Sequence, residues 1–289
     1  MRIDLHIHSN ASDGTDDPAE VIHRAAEAGV DVVALTDHDT TAGWDEAAEA
    51  TKAKETAEAT ESITLVPGME LSCQLDGRSV HLLCYLFDPA NAELARETSL
   101  IRDDRTHRAK GMIAKLNELG ANVTWEQVAR IAGDAVVGRP HIARAMTQAH
   151  VIDKPADAFT ADWIADGGRA YVERYAITLG RAVRLVRQAG GVPVLAHPRS
   201  PGYEITDDVI VTLAAEGLAG IEVNHPDHDY PERSRLRALV HDLGLLTTGG
   251  SDDHGSFTPS GVKDSGGIGS ETTPEAEYEK LIGQSGTRE

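Results

Sequence analysis

The sequence predicts an α/β barrel in which the alternation of strands and helices is broken once by a run of helices. Three observations carry that expectation. Short apolar runs end repeatedly in clustered histidines and acids, at His6-Ile7-His8, Thr36-Asp37-His38-Asp39, His197-Pro198 and Ser251-Asp252-Asp253-His254. Polar side chains stacked at the carboxyl end of a strand are a poor way to build a core, and in (β/α) barrels that end carries the function. Amphipathic helical patterns separate most of these runs. The 289 residues hold one such barrel, which uses roughly 200 to 250, with chain left over for an insertion.

The first strand covers residues 1–8. Alternation puts Ile3, Leu5 and Ile7 on one face and Asp4, His6 and His8 on the other, and Asp13 follows in the polar turn 9–14. A helix opens at Asp17-Pro18, a cap residue with proline at the first helical position, and runs to about Gly29. The apolar run Val32-Val33-Ala34-Leu35 reads as a parallel strand buried on both faces. An alanine- and glutamate-rich helix is expected over 41–62. Strands over 63–72 and 79–87 flank the turn signal Asp76-Gly77, bringing Glu70 and His81 onto neighbouring strands. From 89 to 168 only helical periodicity remains, over 100–119, 125–132 and 139–149. Alternation then resumes, with helices over 178–189, 207–216 and 231–243 preceding strands over 191–196, 220–224 and 245–248, and a last helix before a frayed end. The expected organisation is a barrel formed by 1–88 and 169–289, with 89–168 inserted as a helical lid over the substrate.

Composition narrows the function. No apolar run approaches the roughly 20 residues of a membrane helix, and the first ligand-bearing strand begins at Met1, so a cytoplasmic protein is expected. Cys73 and Cys84 each fall inside a strand without metal spacing and read as buried free thiols. A formal net charge of -20 opposes association with long nucleic acid or anionic membrane. A small anionic substrate then needs local positive charge. Arg102, Arg105 and Arg108 supply it at three-residue spacing on one helix, and Gly138-Arg139-Pro140-His141 places an arginine at a helix start, where free N–H groups favour anions. A salt-bridged surface helix with Glu97, Asp103 and Asp104 is the plainer alternative. With aromatic residues at 4%, Tyr171, Tyr175 and Tyr203 are the candidates for stacking on a base.

The strand-end residues converge on one chemistry. His6, His8, Asp13, His38, Glu70, His81, His197, Asp252 and His254 form an imidazole and carboxylate set without thiolate, which suits two or three ions of zinc, iron or manganese. A carboxylate shared by two ions brings them close enough to activate one water near neutral pH, the chemistry of in-line attack on phosphorus. Asp37, Asp39 and Glu222 read as residues that orient ligands. His225 and His228 are candidates to orient ligands or touch substrate, and His107 and His141 to contact substrate. His23, His150 and His241 are expected at the surface or in packing.

His6-Ile7-His8, Thr36-Asp37-His38, Glu70, His81, His197-Pro198 and Gly250-Ser251-Asp252-Asp253-His254 resemble the signature of the PHP (polymerase and histidinol phosphatase) family. The resemblance implies a distorted (β/α)7 barrel with a trinuclear metal site. By motif position it assigns His6, His8, Glu70 and Asp252 to one ion, Glu70, His81 and His197 to a second, and Asp13, His38 and His254 to a third. Asp13 stands where other trinuclear relatives place a histidine. The inserted arginine helix resembles the standalone nucleotide phosphoesterases of this family. These remove the 3'-phosphate of nucleoside 3',5'-bisphosphates, and some trim short RNA from the 5' end. That resemblance implies that Arg102, Arg105 and Arg139 hold the phosphate that is not cleaved; His141 and His225 are further candidates to contact substrate. The competing expectations are a phosphatase for a small metabolite such as histidinol phosphate, and a non-catalytic module that serves a polymerase.

Overall fold

A computed structural model of the chain describes residues 1–56, 63–200, 204–256 and 266–284. Its strands are β1 (Ile3–Ile7), β2 (Val32–Leu35), β3 (Thr64–Leu75), β4 (Arg78–Tyr85), β5 (Ile177–Thr178), β6 (Val192–Leu195), β7 (Gly220–Asn224) and β8 (Leu246–Gly249). Its helices are α1 (Pro18–Glu27), α2 (Trp44–Thr56), α3 (Ala92–Glu118), α4 (Trp125–Ala132), α5 (Arg139–Gln148), α6 (Leu179–Gln188), α7 (Asp207–Ala215), α8 (Tyr230–Leu243) and α9 (Glu275–Gln284). The sheet order is β1-β2-β3-β4-β6-β7-β8, with the two-residue β5 paired to β3. The seven expected strands are all present and β5 is an addition. The ends of the sheet approach each other where Asp252 N–H bonds the His6 carbonyl at 2.8 Å and His8 N–H bonds the Asp253 carbonyl at 3.0 Å. The sheet is therefore a nearly closed barrel.

β4 runs against both of its neighbours, β3 and β6, while the other pairs are parallel. This reversal follows from the Asp76-Gly77 hairpin, whose turn residues both take positive φ. It also explains why His81 lies near the start of its strand: an antiparallel strand begins at the end where its neighbours finish. Leu83 and Tyr85 of β4 join Ile3, Leu5, Val32, Val66, Val192 and Val194 in one buried cluster, which fills the barrel, and α9 packs Leu281 and Tyr278 against it. A second cluster lies between the sheet and α6, α7 and α8, and a third beneath α1 and α2.

The alternation expected in β1 breaks part-way. Its register against β2 shifts between Asp4 and Ile7, so Ile3 and Leu5 pack into the barrel cluster and Ile7 into the cluster of α1 and α2. An extra residue on one strand leaves two neighbours on the same side. Here it lets Leu5 close the packed interior while His6, next in line, enters the mouth. Asp4 accepts N–H bonds from His6, Ser251 and Gly269 and ties β1 to the chain beyond β8.

α3 begins at Ala92, eight residues ahead of the expected start, capped by the Asn91 side chain on Leu94 N–H. Charged residues in its first turns obscure the periodicity. Leu94 and Ile101 of this half pack with the barrel-side cluster, whereas Met112, Ile113 and Leu116 pack with α4, α5 and Ile164 in a cluster of their own. One helix thus spans both cores. Residues 57–62 of the expected 41–62 helix lie outside the described set, as do Tyr203, the Gly- and Ser-rich stretch over 257–265 and the last five residues.

Candidate metal centre

The mouth of the barrel gathers every candidate ligand within a few ångströms. His6 lies in β1 and His8 just past it. His38 follows β2, Glu70 lies within β3, His81 within β4, His197 just past β6, and Asp252 and His254 past β8. Asp13 sits in a turn held by Asp37, which accepts from Ser9 N–H, the Ser9 hydroxyl and the Ser12 hydroxyl. All these side chains are mostly or wholly buried. Three of them or their neighbours, Asp39 (φ 57°), His197 (φ 24°) and Asp252 (φ 52°), have left-handed backbone. Such strain costs about 1–3 kcal/mol per residue and persists where the surroundings over-determine it.

The donor atoms are arranged around shared centres. His6 Nε2 lies 3.1 Å from His8 Nε2, 3.4 Å from Glu70 Oε2 and 3.3 Å from Asp252 Oδ1. His8 Nε2 lies 3.2 Å from the same Glu70 oxygen and 3.1 Å from the same Asp252 oxygen. These four donor atoms are close enough to share one divalent ion. The other Glu70 oxygen, Oε1, faces His81 Nδ1 at 2.8 Å and His197 Nε2 at 3.1 Å. Glu70 therefore offers one oxygen to each of two centres. A third group joins Asp13, His38 and His254 with His8; Asp13 lies 3.4 Å from His254 Nε2 and 3.8 Å from His38 Nε2. Within this ring set His8 Nδ1 is buried without a hydrogen-bond partner, and His38 Nδ1 faces Glu70 Oε2 at 3.1 Å. Donor type, spacing and the orphaned His8 nitrogen all fit divalent ions.

The charge balance among the candidate ligands decides which rings hold protons. Burial opposes charge on His8, but Asp252 and Glu70 overcome it and lift the ring to about 10. Burial likewise opposes charge on His197, which Glu70, Asp252 and Glu222 raise to about 9. For His38 burial prevails over Glu70 and Asp13 and pushes the ring down to about 3. Burial works to raise Glu70 and Asp252, yet the surrounding imidazoles hold both well below the usual carboxylate range.

The expected orienting residues have those contacts. Glu222 accepts from His6 Nδ1 at 2.9 Å and from His197 N–H at 2.9 Å, fixing two ligands with one carboxylate. Asp39 accepts from Ser72 N–H, the Ser72 hydroxyl and Arg105. His225 Nε2 meets Asp252 Oδ2 at 3.3 Å and so touches a ligand. His228 bonds the Val223 carbonyl and Arg199 N–H. His23, His107, His150 and His241 are exposed.

Beside these ligands opens a cavity of about 590 Å³, lined by His38, Glu70, His81, His197 and His254 and also by Arg105, Arg108, Arg139 and Arg174. Of the arginines expected here, Arg105 and Arg139 line it. Arg102 turns away and donates to the Asp39 carbonyl at 2.7 Å. Three residues on a helix return about 60° short of a full turn, so a three-residue series cannot keep all its members on one face. His141 is also outside the lining; its Nδ1 accepts from Gly138 N–H and closes the start of α5. The sequence reading missed Arg174, which bonds the Ser72 and Ser79 hydroxyls at 2.7 and 2.6 Å, and Phe159, which lies 5.8 Å beneath Arg139. Arg174 belongs to an irregular stretch before β5, where periodicity carries no signal. Tyr171 lies under Arg108 and Tyr175 bonds Glu97, so neither lines the cavity.

The model of the PHP domain matches residues 4–127. Over 260 residues, 88% of this chain and 90% of the relative, the chain is 32% identical to a "5'-3' exoribonuclease" of Haemophilus influenzae. The chain belongs to the PHP family. A "3',5'-nucleoside bisphosphate phosphatase" of Chromobacterium violaceum is likewise 32% identical, over 87% of each chain. A crystal structure from Bifidobacterium adolescentis, described as a metal-dependent phosphoesterase, superposes with a TM-score of 0.89 at 32% identity, covering 98% of this chain and 96% of that one. The PHP barrel here is that of a metal-dependent phosphoester hydrolase. Among the described residues no helix is long and apolar enough to cross a membrane.

Proposed function

We propose that the enzyme hydrolyses the 3'-phosphate of nucleoside 3',5'-bisphosphates to yield nucleoside 5'-monophosphates. The observation that carries this reading is the meeting, in one cavity, of the candidate metal ligands with four guanidinium groups. Burial, with repulsion from Arg105 and Arg139, pushes Arg108 down to about 10, and burial, with Arg105 and Arg108, pushes Arg174 down to about 9. Arg108 Nη2 is buried without a partner. Arg105 is paired with Asp39 and Arg139 with Asp166, but Arg108 and Arg174 donate to carbonyl and hydroxyl oxygens, and their charge favours a substrate with an anion beyond the one being cleaved, whose phosphate oxygens guanidinium forks match. A cavity of about 590 Å³ also lies within the range of small-ligand sites. Histidinol phosphate carries an ammonium group that these arginines would repel, and the complete donor set weighs against a non-catalytic module.

His6, His8, Asp13, His38, Glu70, His81, His197, Asp252 and His254 would hold two or three divalent ions. Bound there, the ions supply an activated water and neutralise charge on phosphorus. The chain's own part is to hold the second phosphate through Arg105, Arg108, Arg139 and Arg174, and to keep the ligand carboxylates ionised. The exoribonuclease relative favours a second substrate of the same site, short RNA cleaved from its 5' end, whose terminal phosphate would occupy the arginine pocket.

The test is phosphate release, with manganese supplied, from adenosine 3',5'-bisphosphate beside 5'-AMP, 3'-AMP and histidinol phosphate. A strong preference for the bisphosphate, with 5'-AMP as product, is expected. Equal turnover of 3'-AMP, or turnover of histidinol phosphate alone, would remove this substrate while leaving the centre intact.

A further inference from the structure

Residues between the barrel halves reach two of the ligand-bearing loops, mostly through backbone carbonyls. Arg102 of α3 donates to the Asp39 carbonyl at 2.7 Å, and Arg105 binds the Asp39 carboxylate at 2.7 Å. From α5, Arg144 donates to the Asp13 carbonyl at 2.8 Å. Val136 N–H bonds the Ala11 carbonyl at 3.1 Å in the same turn as Asp13. A side chain on Gly138 would meet Arg105 and Asp13 at 3.6 and 3.7 Å, so the start of α5 lies against both. These contacts converge on the two loops that carry Asp13 and His38.

The backbone at Asp39 shows what they accomplish. Its φ of 57° turns the chain directly after His38, and its N–H bonds the Glu70 carbonyl at 3.0 Å. A left-handed aspartate persists only where its surroundings fix it. Arg102 fixes the carbonyl, and Arg105 with Ser72 fixes the side chain. Asp13 is held from the barrel side by the turn over Asp37 and from the helical side by Arg144.

We propose that Arg102 and Arg144 are positioning residues for the group Asp13, His38 and His254, so that the helical segment sets the affinity of the ion held there. The proposal rests on the reading of that group as a metal site. Coupling is reciprocal: an ion at Asp13 also strengthens the seating of α3 and α5 on the barrel. The segment that brings the cavity arginines, already packed on the barrel, is then held most tightly when the centre is loaded.

The experiment is a calorimetric titration of the ion-free full chain with manganese. His254→Ala identifies the binding step that belongs to this group. In Arg102→Ala and Arg144→Ala that step should weaken about 10- to 100-fold, the usual effect of losing a residue behind a ligand, with the remaining steps unchanged. Arg102→Lys should recover most of it, since an ammonium still reaches one carbonyl. If an alanine variant fails to fold, Arg102→Met and Arg144→Met keep the aliphatic stem and remove only the donor. Uniform weakening of all steps, or no change in any, overturns the inference while the metal reading stands. A wild-type titration without a His254-dependent step overturns both.

Discussion

Glu222 is the residue whose removal separates ligand orientation from substrate binding most cleanly, because it touches His6 and the His197 backbone and does not line the cavity. Glu222→Gln should lower metal affinity about 10- to 100-fold, and excess manganese should restore turnover with an unchanged KM. A raised KM at saturating metal would assign Glu222 to substrate instead. Arg174→Ala should act the other way, raising KM for the bisphosphate at least 10-fold while ion binding is preserved; an equal fall on mono- and bisphosphates would count against its place in the phosphate pocket. The candidate ligands were legible because His and Asp at the ends of apolar runs have few structural explanations. Arg174 and Phe159 were not, since each reaches the cavity from irregular chain whose position is set by tertiary packing. Arg102 was misdirected by spacing: the pitch of a helix turns it toward Asp39.

At the scale of elements, closure of the barrel depends on β8 passing directly over β1. A Cβ on Gly250 would lie 2.3 Å from the His6 Cβ and 2.5 Å from the His6 nitrogen. Gly250→Ala must therefore separate β1 from the loop bearing Asp252 and His254. It should destabilise the chain by about 1–3 kcal/mol, read as a lower denaturant midpoint, and weaken ion binding even after stability is restored by lower temperature. An unchanged midpoint would mean that the two strands part freely. The strands and most helices could be read from period alone, and the reversal of β4 from its Asp-Gly turn. The break in β1 could not, because a single-residue bulge leaves the apolar pattern of Ile3, Leu5 and Ile7 intact while changing which side each faces.

The whole molecule carries a pH signature of its ion-free state. His8 and His197 have folded values raised to about 10 and about 9 from 6.5. Their contribution is complete below about pH 6.5 and is lost as pH rises through those values. Glu70 and Asp252 are lowered from 4.5 and 3.8, so their contribution is present above those values and lost in stronger acid. Thermal melts in chelator should show a maximum near pH 6.5: the midpoint falls toward pH 10, and it falls again below pH 6.5, where His38, His141 and His228, held by burial near 3, 4 and 4, take up protons on unfolding. Manganese should cancel the alkaline fall, because ion uptake displaces these protons and tightens as pH rises. A midpoint that rises between pH 7 and 10 without metal would contradict the charge balance described for the centre.

Because β4 ends at the floor of the barrel, α3 must start there, beside the Asp88 bond to Ala189. Its 27 residues climb about 40 Å at 1.5 Å each. Its lower half is locked into the barrel-side core and its upper half carries the second helical core. A helix so planted is a fixed wall rather than a door. The ordering cost of the arginine pocket is met when the chain folds, and a substrate meets a surface already shaped. Turnover should then be governed by encounter, chemistry and product departure, without a slow hinge step between them.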